Sequence, residues 1–250
     1  MGLIVVCAVL GAVFGSFAGA VAARVPDGRS LSGRSRCEGC GRPLGVVDLV
    51  PVVSWLALRG RCRRCKAAIG ASALVVEASV AGAWALLAWR LGAAAFLPAA
   101  LAGATGLIAA GAVDTSRRLL PRQIVYPTGA VVLVAEAAAA ATTGAWADLE
   151  RAVAVAAVAV AGFAAIWATR PGSIGFGDVR LVGVCGLLAG WRGLPCADLA
   201  LVASAGLGVL VAAGAMAVGK AGRSTRWPFG TFLAAGTVLA AGLAPAGWRC

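Results

Sequence analysis

The sequence predicts an all-α polytopic membrane protein of about eight transmembrane helices, and three observations carry that expectation. Apolar residues make up 61% of the 250 and charged residues 13%, where soluble domains carry about a quarter charged. The apolar residues gather into runs near the roughly 17 to 25 residues that cross a hydrocarbon core, and mean hydropathy is +0.92. The basic residues, which set a net charge of +12, collect between alternate runs.

The runs fall at 3–23, 73–89, 91–113, 124–142, 152–168, 179–191, 197–218 and 229–246. The first has no basic segment before it and no Ala-x-Ala exit, so it reads as a mature helix and not as a signal peptide. The second and third pair across a short connection, and the third closes on Asp114. The fourth carries Pro127 near its start, which softens its boundary. The fifth is rich in alanine and valine, the sixth is short and begins beside Asp178, and the seventh and eighth complete the count. Thirty-five glycines and abundant alanine suit helices that approach closely in lipid, though a plain compositional bias would look the same.

Charge sets the expected orientation. Ten basic residues from Arg24 to Lys66 fill the connection after the first run; Arg117, Arg118 and Arg122 follow the third. Arg170 and Arg180 flank the start of the sixth, and Lys220, Arg223 and Arg226 follow the seventh. Only Arg90, Arg151, Arg192 and Arg249 fall on the opposite side. Both termini are therefore expected outside, with the 24–72 loop and both aspartates cytoplasmic. The basic charge suits anionic lipid headgroups, whereas nucleic acid is a poor fit without interleaved aromatics or a reading helix. The expected organisation is a first helix at 1–23, a loop domain at 24–72 and a membrane domain at 73–250.

Within the loop, CEGC at 37–40 and CRRC at 62–65 give C-x2-C-x21-C-x2-C. Two such turns present four sulfurs to one tetrahedral ion, so Cys37, Cys40, Cys62 and Cys65 read as a structural zinc site. A Gly- and Arg-rich loop of this size builds little core, and metal would supply its folding energy. Disulfides are the alternative, disfavoured on a reducing side of the membrane. Cys7, Cys185, Cys196 and Cys250 lack the spacing and read as small buried hydrophobes or incidental thiols.

The sequence has no histidine, which removes Ser-His-Asp and Cys-His nucleophiles and every histidine-containing metal site. Carboxylates are costly at membrane depth and are kept where they face a partner, water or a reaction. Asp114 in VDTSRRLLP and Asp178 in GFGDVRL stand at the edges of membrane runs, the second preceded by Gly175 and Gly177. The alternative for Asp178 taken alone is the cap of a helix that begins there. Asp114 is expected at a helix C-terminus, where the dipole disfavours it and only Arg117 and Arg118 would compensate. Held together, two such carboxylates share a proton. One takes a proton from an attacking water while the other donates to the scissile carbonyl.

The order of these motifs resembles that of the type IV prepilin peptidases, over most of the chain. GSFAGAVAARVP at 15–26 is similar to the family's GSFxNVxxxRxP, and the cysteine pairs bracket DLVPVVSWLALRGRC. VDTSRRLLP and GFGDVRL resemble the two aspartate motifs, and WPFGTFLAAG at 227–236 resembles PFGPFLA. The resemblance implies a GxGD membrane aspartic protease of the bacterial inner membrane with Asp114 and Asp178 catalytic. Its substrates would be type IV prepilin or pseudopilin precursors with a short basic leader. It also implies N-methylation of the new amino terminus from S-adenosylmethionine, with Glu77 and Arg24 as candidate contacts. Gly19 stands where the family has asparagine, Ala73 and Leu74 replace its Tyr-Pro, and Glu77 reads equally as a partner for a loop arginine. No GxGxxG follows a strand. The rival readings are a membrane scaffold or small cation transporter with a zinc-knuckle docking loop, and a serine peptidase using Ser16 or Ser54 with a lysine. Self-association is left open.

Overall fold

A computed structural model describes residues 1–170, 172–220, 222, 225 and 227–244. Expectations for the end of the eighth run, Arg223, Arg226, Arg249 and Cys250 lie outside the described residues. Eight long helices form, each from one of the expected runs: α1 (Gly2–Arg24), α3 (Ser72–Leu91), α4 (Leu97–Arg117), α5 (Arg122–Thr143), α6 (Trp146–Thr169), α7 (Phe176–Arg192), α8 (Leu194–Ala217) and α9 (Phe229–Leu243). A short α2 (Val53–Ala57) lies in the first loop, and no strand forms among the described residues.

Helix ends follow local chemistry. Gly92, at φ 58°, stops α3, and Pro98 lies in the first turn of α4, so the third run begins later than position 91. Arg118 (φ 54°) ends α4 in the left-handed conformation, and Gly144 does the same for α5. Gly193, at φ 121°, separates α7 from α8. The sixth run does not begin at its aspartate: α7 starts at Phe176 with Gly175 as its cap, which places Asp178 at the third helical position. The fifth run also starts earlier, at Trp146.

Six helices, α1, α3, α4, α5, α6 and α8, are long and apolar enough to cross a membrane. The other two are short: α7 has 17 residues and α9 has 15. At 1.5 Å per residue they extend about 25 and 22 Å, short of a core about 30 Å thick. Both are largely buried, whereas α6 and α8 present most of their surface outward.

Close approach of backbones fixes three helix pairs. A Cβ at Gly15 of α1 would lie 2.7 Å from Glu77 Cα of α3. One at Gly186 of α7 would lie 2.6 Å from Ala156 Cα of α6, and one at Gly236 of α9 would lie 2.5 Å from Ser204 N of α8. These glycines are packing residues, since no hydrophobic force draws helices together in lipid.

The arginines that break the charge pattern cap helices. Arg90 Nη2 donates to Leu243 O at 2.9 Å and Arg192 Nη2 to Ala244 O at 3.0 Å, at the C-terminus of α9. Arg151 donates to Gly190 O and Trp191 O, 2.8 and 2.7 Å away, at the end of α7, and pairs with Asp148 at 2.7 Å. Cations there satisfy terminal carbonyls that lipid cannot. The two short helices are thus tied by their last turns to one end of the bundle, and their first turns lie toward the other, against the last turn of α4 and the Leu120 that follows it.

Candidate active site and metal centre

Asp178 is held by the turn that precedes it. Its Oδ2 accepts the Gly175 N–H at 3.0 Å, while its own N–H donates to Gly175 O at 3.0 Å. A Cβ at Gly175 would lie 3.3 Å from that Oδ2, and one at Gly177 would lie 2.8 Å from Leu120 Cβ. Both glycines of the motif therefore serve close approach. The carboxylate also sits in the first turn of α7, where the helix dipole favours negative charge.

Asp114 occupies the last turn of α4, as expected, but its compensation comes from elsewhere. Thr231 N, in the first turn of α9, donates to Asp114 Oδ2 at 3.0 Å. The Thr231 hydroxyl donates to Gly111 O at 2.9 Å and locks that turn against α4. The α9 N-terminus thus offsets the unfavourable dipole of α4. The alternative of a side-chain pair with an arginine is not made: the Arg117 side chain pairs with Asp27 of the first loop, and Arg118 donates only its backbone N–H, to Asp114 O at 2.8 Å. Thr231 stands where the resemblance has proline, so it supplies an N–H that proline lacks.

The two aspartates, from α4 and α7, are buried at the same end of the bundle, near enough for the charge on Asp114 to act on Asp178. Leu120 packs against the first turns of both α7 and α9, since Cβ atoms at Gly177 and at Gly230 would each meet it at 2.8 Å. Arg180 lies over the Tyr126 and Phe176 rings, 5.7 and 5.2 Å from their centroids, on the outer side of this turn. Glu136, inside α5, escaped the reading of the sequence. It is fully buried, and neither carboxyl oxygen has a partner. A glutamate within an otherwise apolar run was its visible signal.

The four knuckle cysteines converge. Their sulfurs all lie within 4.8 Å of one another, and Cys37 Sγ is 3.7 Å from Cys65 Sγ. Four sulfurs about 2.3 Å from one ion stand about 3.8 Å apart, so the set lies within about 1 Å of what a tetrahedral metal needs. The two turns repeat each other: Cys37 N donates to Arg42 O and Cys62 N to Ala67 O, both at 2.9 Å. Gly41 and Lys66, each following the second cysteine of its turn, share positive φ values of 67° and 59°. Backbone N–H groups of Cys65 and Arg64 directed at the Cys62 sulfur hold its thiol down to about 6, which favours the thiolate a metal requires. Cys7, Cys185 and Cys196 are buried and free.

Glu77 takes a role the sequence did not suggest. Its Oε2 accepts the Val52 N–H at 2.7 Å, joining the loop to α3 in place of pairing with an arginine. Arg24 likewise braces the loop, donating to Leu31 O at 3.0 Å and to Ser35 Oγ at 3.3 Å.

A bundle whose buried acids meet at helix N-termini beside a four-cysteine loop defines a multi-pass membrane protein with a candidate aspartic site. Residues 9–91 match the Bacterial Peptidase A24 N-terminal domain, and residues 101–243 match the type IV leader peptidase family. The chain belongs to the type IV leader peptidase family. It is 33% identical to a prepilin leader peptidase/N-methyltransferase of Pseudomonas putida, over 80% of this chain and 68% of that protein. It is 31% identical to the Stutzerimonas stutzeri protein of the same name, with the same coverage. A Burkholderia pseudomallei relative of that name is 34% identical over 81% of this chain and 65% of its own. No solved structure matches the chain. Membership and the six long apolar helices make it a multi-pass inner-membrane protein, and do not favour the scaffold or transporter reading.

Proposed function

We propose that this protein removes the leader from type IV prepilin-like or pseudopilin precursors, with Asp114 and Asp178 as the catalytic pair, and then N-methylates the new amino terminus. One observation carries the first step. Two aspartates distant in sequence are buried at one end of the bundle, each with one oxygen tied to a backbone N–H at the start of a helix. The tied oxygens fix both carboxyl groups, and the remaining oxygens are left to handle protons. One carboxylate takes a proton from the attacking water as its oxygen bonds to the scissile carbonyl carbon. The protonated partner donates to the carbonyl oxygen. As the C–N bond breaks, a proton passes to the departing amine. Histidine and a covalent intermediate are not required.

The loop cysteines hold a structural zinc ion that folds residues 24–72; the sulfur geometry and the lowered Cys62 thiol support this reading. For methyl transfer, the donor is S-adenosylmethionine, a reading supported by the relatives' name, prepilin leader peptidase/N-methyltransferase. Glu77 and Arg24 stay the candidate contacts for this step, and their bonds to Val52 N and Leu31 O support a part in positioning the loop for it. The basic connections support a cytoplasmic position for the loop and both aspartates.

The test is cleavage of a pilin-like precursor in membranes by Asp114→Asn and Asp178→Asn, made separately. Each is expected to lose about a hundredfold or more. Normal processing by either variant would refute the paired mechanism.

A further inference from the structure

The first loop carries a surface that neither peptide cleavage nor metal binding uses. Val46, Val47, Leu49, Val50, Val53 and Leu56 are all exposed, Val46 at 81%. Trp55, on the other face of α2, turns inward, its Nε1 donating to Ile69 O at 3.3 Å. Val53 and Leu56 are three residues apart and share the outward face. Just beyond α2, a cavity of about 440 Å³ is lined by Leu58, Arg59, Arg61, Cys62 and Lys66. Among the described residues, the side chains of Arg59, Arg61 and Lys66 make no hydrogen bond or ion pair.

Depth decides what this surface meets. Val52 is held in the left-handed region, at φ 62°, by the bond from its N–H to Glu77 Oε2. That conformation is strained for a β-branched residue and persists only where its surroundings enforce it. Glu77 lies five residues into α3, about 7 Å along its axis. The loop therefore reaches down beside the first turns of α3, a helix long and apolar enough to cross a membrane, and carries its apolar face with it.

We propose that residues 46–66 seat this loop in the adjacent leaflet, with the valines and Leu56 among the acyl chains and Arg59, Arg61 and Lys66 on anionic headgroups. The orientation rests on the cytoplasmic reading of the loop given above. Charge selects the occupant: three cations without partners fit anionic lipid and repel the basic leader of a precursor. The long basic side chains lay their stems on the apolar face and send their charges to phosphate.

The test uses full-length protein carrying zinc, reconstituted in phosphatidylcholine vesicles with or without phosphatidylglycerol. A fluorescent amino acid replaces Leu56 in one sample and the exposed Glu38 in another. Quenching by a spin label carried shallow in the lipid is compared with quenching by aqueous iodide. Strong lipid-borne quenching at position 56 but not at 38, deepened by phosphatidylglycerol, is the expected result. Arg59→Gln is expected to lower the seated fraction relative to the lifted one about fivefold in the anionic vesicles, with no change in phosphatidylcholine. Iodide quenching at 56 equal to that at 38 would place the loop in water and overturn the proposal. Shielding from both quenchers would mean that protein covers the face, and would overturn it too. Equal quenching with and without phosphatidylglycerol would refute the headgroup contact. None of these readouts depends on cleavage, so they stand or fall apart from the proposed activity.

Discussion

Gly230→Ala separates the placement of Asp114 from the stability of the fold. A Cβ at this position would stand 3.1 Å from Asp114 Oδ2 and 2.8 Å from Leu120 Cδ1, where ordinary contact begins at 3.4 Å. The end of the Leu120 side chain is half-buried and can rotate away. The carboxylate has less freedom, because Thr231 N holds it at 3.0 Å, and it must yield by about 0.3 Å. Scaled from the hundredfold cost of misplacing a reacting group by about 1 Å, the loss in turnover is about four- to tenfold. Stability should move the other way, because alanine exceeds glycine by at most about 1 kcal/mol in helix propensity. The assay pairs precursor cleavage in vesicles, at saturating precursor, with thermal unfolding in the same lipid. A reduced rate with unchanged or raised Tm is expected. Wild-type turnover would refute the reasoning, and so would a rate that fell only in step with Tm.

Removing the metal with a chelator should unfold residues 24–72, read as new protease cuts there, and Cys37→Ser should do the same while metal analysis falls from one zinc per chain toward none. Glu77→Ala should leave the Val52 N–H without its acceptor and speed its hydrogen exchange, at a cost of about 1–3 kcal/mol in local stability. Glu77→Gln, which keeps an acceptor, should stay near wild type. Arg192→Met should strip the cation from the last carbonyl of α9 and lower Tm in lipid, through a loss of about 1.5–3 kcal/mol. An unchanged Tm would mean that water, not Arg192, serves Ala244 O.

What could be read from the sequence was whatever depends on local pattern. The eight helices followed from apolar runs of membrane length, and the cysteine cluster followed from two short turns whose spacing already matches one ion. Both aspartates stood out because acids are rare beside such runs. What could not be read was how elements serve one another across the bundle. The dipole argument for Asp114 was right about α4, yet the compensating charge belongs to α9, more than a hundred residues later. Arg90, Arg151 and Arg192 looked like violations of charge asymmetry because the carbonyls they cap lie on other helices or are brought near only by folding. Glu77 showed an acid near the membrane edge, but its partner is a backbone N–H, which has no signature in sequence. Glu136 is the plain omission.

The shortness of α7 and α9 has a consequence for water supply. Fastened by arginines through their last turns, they are shorter than the thickness of a hydrocarbon core. Hydrolysis inside a membrane needs solvent where lipid would exclude it. Both acids are buried where these helices begin, so water has to be admitted at their first turns before a bond can be cut.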